Sequence, residues 1–110
     1  MNRCVYIAGP LTTGDTIANV RAAIDAAAQL MDAGFHPFVP HLCILAELVH
    51  PMPYERWMEA DLAWIVKCGC LLRLLGLSKG ADREVEFAKG KSIPVFYSVS
   101  ELIAAMKEAS

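Results

Sequence analysis

"CLLRLLGLSKGADREVEFAKG", residues 70 to 90, decides the fold. Its opening, CLLRLL (70–75), is a short apolar run that reads as a buried strand. A Ser-Lys-Gly turn follows, and residues 79–89 keep a helical period that Gly90 is expected to end. A strand, a turn and a helix in that order make up part of a strand–helix–strand unit. Such units imply a parallel sheet with helices on both faces.

The same alternation runs through all 110 residues. CVYIAG (4–9) reads as the first strand, and residues 15–33 as a helix capped by Asp15 and stopped at Gly34. Its apolar positions are Ile17, Val20, Ile24, Ala27 and Met31. HPFVP (36–40) reads as a short second strand, and HLCILAELVHP (41–51) as a loop or broken helix. A helix opened by Pro53 is expected over 53–67, a fourth strand at IPVFY (93–97), and a closing helix over 99–108. With no linker or repeat, residues 1–110 read as a single domain.

Composition narrows the function classes. Hydrophobic residues make up 55% and charged residues 20%, an apolar balance for so short a chain, which points to a homo-oligomer. The net charge of −2 supplies no basic field for a nucleic-acid polymer, whereas a small ligand fits. Cys4, Cys43, Cys68 and Cys70 form no disulfide framework. With His36, His41 and His50 they match no zinc spacing, so no metal is expected. The first strand begins too near Met1 for a signal peptide, and LAWIVKCGCLLRLLGL (62–77) is interrupted by Lys67 and Arg73. The expectation is a cytoplasmic protein with no membrane partner.

The acids carry the functional signal. At about 100° per residue, Ala81, Val85 and Ala88 define an apolar stripe, with Glu84 on its edge. Asp82 and Glu86 turn outward and read as a solvated face near the helix dipole. On the preceding helix, Asp61 stands amid Trp57, Trp64, Ile65 and Cys68. A carboxylate there is costly unless it is paired or lines a cavity. Ligands of open α/β sheets bind beyond the carboxyl ends of the strands. Glu84 and Asp61 near that edge make a candidate acid and nucleophile pair, with the two roles not yet assigned between them. GPLTTG from Gly9, PHL with His41, and the Ser78-Lys79-Gly80 anion perch fall at the same edge. Tyr6, inside the first strand, reads by residue type as core.

VYIAGP (5–10), DLAW (61–64) and SKGADRE (78–84) together resemble the nucleoside 2-deoxyribosyltransferase superfamily. The pattern is most similar to the 2'-deoxynucleoside 5'-phosphate N-hydrolases, over about residues 4 to 97. The resemblance implies a flavodoxin-like or Rossmann-like parallel sheet of four or five strands, no cofactor, and a homodimer or larger homo-oligomer. It also implies cleavage, by hydrolysis or transfer, of the N-glycosidic bond of a 2'-deoxynucleoside or its 5'-monophosphate. Glu84 then matches the nucleophile, Asp61 the acid, Tyr6 the orienting tyrosine, and Ser78 and Gly80 the phosphate turn. Gly69 stands where many relatives carry an acid, and Ser98 is the one candidate for a serine that crosses between subunits. A nucleotide-binding module without catalysis is the alternative.

Overall fold

The computed structural model describes residues 1–109. Strands β1 (Cys4–Ala8), β2 (His36–Phe38), β3 (Cys70–Arg73) and β4 (Val95–Phe96) form a four-stranded sheet in the order β2-β1-β3-β4. Every pairing is parallel. Five α-helices complete the described residues: α1 (Thr16–Asp32), α2 (Cys43–Val49), α3 (Tyr54–Ile65), α4 (Lys79–Gly90) and α5 (Val99–Ala109). A 3-10 turn at Pro40–Leu42 leads into α2, so the segment read as a loop or broken helix is two short helical pieces. This is the expected α/β architecture, compatible with a single-domain flavodoxin-like or Rossmann-like fold.

Alternation along the strands divides the core in two. Val5, Ile7, Cys70 and Leu72 pack with Ala23, Ala27, Leu30 and Leu102, the faces of α1 and α5. Tyr6, Ala8 and Leu71 point the other way, against Ile65 of α3 and Ala81, Val85 and Ala88 of α4. The helix starts follow the sequence. Asp15 accepts from the Ala18 N–H at 3.1 Å, and Ser78 accepts from the Ala81 N–H at 3.0 Å. Gly34, at φ +89°, ends the α1 region in a conformation that glycine adopts freely.

Several boundaries and rotations differ from the sequence reading. Pro53 is the cap of α3 rather than its first residue, α3 ends at Ile65, and Gly90 is the last turn of α4 rather than a stop beyond it. Helix α1 buries Ala23, Ala26, Ala27 and Leu30, while Ile17, Ile24 and Met31 are exposed. Small alanines let the helix approach the sheet closely, and that contact sets the rotation, whereas apolar spacing sets only the period. Helix α3 is rotated likewise: Met58 and Ile65 are buried, and Trp64 is half exposed.

Candidate active site

The carboxyl ends of β1 and β3 and the turn after β2 surround a cleft of about 700 Å³. Glu84, Asp61 and His41 line it together with Gly9, Ser78, Lys79 and Gly80. The fold thus gathers onto one side of the sheet seven of the eight candidate residues, and the eighth, Tyr6, bonds to one of them.

Glu84 is only 6% exposed, in the first two turns of α4. The fully buried Tyr6 hydroxyl donates to its Oε2 at 2.5 Å. Burial pushes the Glu84 carboxyl up to about 7, opposed by the Tyr6 hydrogen bond and the Arg73 charge and reinforced by Asp61. Burial also pushes Asp61 up to about 6, opposed by hydrogen bonding to Tyr6 and Glu84. The Tyr6 hydroxyl is raised too, first by burial and then by the two carboxylates, so it remains a donor. The three groups therefore titrate as a unit, and between about 6 and about 7 the two carboxyls hold one proton.

The rim explains which parts of the motif are structural. The Ser78 oxygen is occupied by the Ala81 N–H, which leaves its hydroxyl proton free to donate to a ligand. Lys79 is exposed at the start of α4, beside the unpaired first amides of the helix. A Cβ on Gly80 would lie 3.0 Å from the Tyr54 hydroxyl, so glycine here lets α3 and α4 approach. His41 is 2% exposed, and neither ring nitrogen has a hydrogen-bond partner, although the Gly9 and Pro10 carbonyls lie nearby. Burial lowers its pKa, which keeps the imidazole neutral, with one donor and one acceptor to offer.

Other contributors were not legible in the sequence. Arg73, buried at the end of β3, donates to the carbonyls of Leu74 and Gly76, the latter at 2.9 Å, and pairs with Asp82 at 3.0 Å. It braces the loop that carries Ser78 and Lys79. Asp82 does turn outward, and it carries this ion pair besides. Gly76, at φ +117°, brings the same loop against Pro10, where a Cβ would sit 2.7 Å from the ring. Glu47 accepts from the Trp57 indole N–H and the Met52 N–H, which ties α2 to α3.

Two departures from the resembled pattern also find their place. Gly69 lies at the amino ends of the strands, its N–H bonded to the Cys4 carbonyl at 2.8 Å. A Cβ there would fall 2.1 Å from the Asn2 carbonyl oxygen, so packing demands glycine, and the cleft loses no acid by it. Ser98 is exposed and caps α5, accepting from the Glu101 N–H at 3.1 Å.

Among the described residues no three His, Cys, Asp or Glu side chains converge as metal ligands, and no helix is long and apolar enough to cross a membrane. All four cysteines are free.

Fold and site together define an α/β domain with a buried, tyrosine-bonded glutamate and a half-buried aspartate in one cleft at the carboxyl edge of a parallel sheet. The chain belongs to the family described as a domain of unknown function, DUF7768, whose model matches residues 3–98. That span holds every candidate site residue. No curated protein matches the sequence.

Proposed function

We propose that the chain cleaves the N-glycosidic bond of a 2'-deoxynucleoside or, preferentially, its 5'-monophosphate. The observation that carries this reading is the buried Tyr6–Glu84 hydrogen bond of 2.5 Å beside Asp61 in the cleft. A retaining glycosidase needs two carboxyl groups on one site, about 5 Å apart. Both carboxyls here line the same cleft on one side of the sheet.

Glu84 attacks C1' as the bond to the base nitrogen breaks, and the bonding pair leaves with the base. Asp61 gives its proton to the departing base, which leaves a deoxyribosyl ester on Glu84 and a carboxylate at Asp61. Water then attacks C1', the Glu84 carboxylate departs, and the water proton returns to Asp61. In the free protein the pair's single proton is shared. With Glu84 at about 7 and Asp61 at about 6, that proton rests mostly on Glu84 in the free protein, and it must pass to Asp61 before the first step. Donation from Tyr6 to Glu84 eases that transfer. A second base in place of water would give transfer.

The Ser78 hydroxyl, the first amides of α4 and the Lys79 ammonium suit a phosphate. A hydroxyl in that place needs no cation. His41, buried and unpartnered, offers one donor and one acceptor to the sugar or base.

The test is a panel of 2'-deoxynucleosides and their 5'-monophosphates with chromatographic detection of free base. Thermal stabilisation by a nucleotide without any base release would replace this reading with that of a binding module.

We also propose that a second copy of the chain covers part of residues 41–52. No residue of α2 is buried, and Leu45, Leu48 and Val49 are 66%, 76% and 86% exposed. Burial of such side chains contributes about 1.5–3 kcal/mol each. Light scattering should report a dimer or larger species. A particle of 12.0 kDa at micromolar concentration would remove this part of the proposal.

A further inference from the structure

Three aromatic rings run outward from the carboxylate pair. Tyr6 on β1 and Phe38 on β2 are register partners, with ring centroids 5.7 Å apart and planes inclined by 23°. Phe38 in turn stacks on Trp64 of α3, at 5.0 Å and 20°. Trp64 is 51% exposed, so it is poorly placed as core filler, yet it covers Phe38 face to face. An aliphatic side chain would shield Phe38 from water as well. What stacked rings add is orientation, because their quadrupoles and flat faces fix the relative tilt of their planes. The tilt of Tyr6 decides where its hydroxyl lies, and that hydroxyl donates to Glu84 Oε2 at 2.5 Å.

We propose that Phe38 and Trp64 are positioning residues, whose stack holds the Tyr6 ring so that its hydroxyl donates to Glu84. Neither lies against the reacting atoms; both act through Tyr6. For catalysis the inference rests on the N-glycosidic reading above, but its geometric content does not. Glu84 faces Tyr6 from β1, Asp61 from α3, Arg73 from β3 and Cys43 from α2. Of these, only Tyr6 touches the stack through its ring.

The experiment is a double-mutant cycle read on the titration of the Glu84 carboxyl by carbon-13 NMR of glutamate-labelled full-length protein, with Glu84→Gln identifying the resonance. In the parent the midpoint is expected at about 7. Tyr6→Phe removes the hydrogen bond, which favours the ionised form, and raises the midpoint. Phe38→Leu keeps the apolar contact and loses the stack. It should change the Glu84 ionisation constant by about threefold in the Tyr6 background and leave it unchanged in the Tyr6→Phe background. Trp64→Leu, at a half-exposed site that tolerates replacement, should act in the same direction more weakly, and Trp64→Phe should restore the parent value. Equal changes in the presence and absence of the Tyr6 hydroxyl would overturn the proposal, and so would full tolerance of both leucines. Where turnover is present, the same leucines should lower kcat and leave KM within about twofold. A coupling found by NMR in a protein that releases no base would leave the positioning role standing and sink the reaction. Base release without coupling would do the reverse.

Discussion

The two faces of the sheet are built from alternate residues of the same strands, and they serve different ends. On one face Val5, Ile7, Cys70 and Leu72 meet α1 and α5 in a dry core that contains no buried ionisable carboxyl. On the other face Tyr6 reaches past Leu71 and Ala81 to a glutamate that burial penalises. The first face contributes stability through apolar area. The second gives some of it up to hold Glu84 out of water beside the half-buried Asp61. The difference teaches that the site is a property of one face of β1 and the helices that cover it, and that the other face is the scaffold that carries it.

The largest expected effect tests the scaffold. Leu72 is 1% exposed, and Leu72→Ala should cost about 2–5 kcal/mol in denaturant melts while base release per folded molecule is retained. A loss of turnover as large as the loss of stability would break the division between faces.

The next effect has the opposite sign. Because Glu84 has a folded-state pKa raised from 4.5 to about 7, the folded chain binds the proton more tightly than the unfolded chain. Stability contributed by the protonated form is therefore present below about 4.5 and is lost as pH rises through about 7. Glu84→Gln should stabilise the fold by about 2 kcal/mol at pH 8, an order-of-magnitude figure, and by little near pH 4. Destabilisation at pH 8 would mean that the carboxylate is well solvated in the cleft. The smallest effect sharpens the site itself: Lys79→Ala should lower kcat/KM for a monophosphate about tenfold and leave the nucleoside within about twofold. Equal losses would remove the preference for phosphate.

Much of this was legible in the sequence. The apolar runs at 4–9 and 70–75 became β1 and β3, Ser78 caps α4, and Glu84 lies where a helical wheel puts it, beside Ala81 and Ala88. What periodicity does not encode is the absolute rotation of a helix. The alanine face of α1 turned inward past larger apolar side chains, and Trp64 ended half exposed on Phe38. Contacts between distant segments were hidden for the same reason. Arg73 looked like an interruption of an apolar run and is the brace of the loop that carries Ser78 and Lys79. Gly69 looked like a missing acid and is a packing glycine at the far end of the sheet.

The most direct measurement compares free-base release from a 2'-deoxynucleoside 5'-monophosphate by the parent and by Glu84→Gln, near pH 6.5, where the carboxyl pair holds one proton. The account predicts release by the parent and a loss on the order of 10³-fold or more in the variant, with the fold intact by circular dichroism. Release by Glu84→Gln at the parent rate, or no release by the folded parent from any member of the panel, would contradict it.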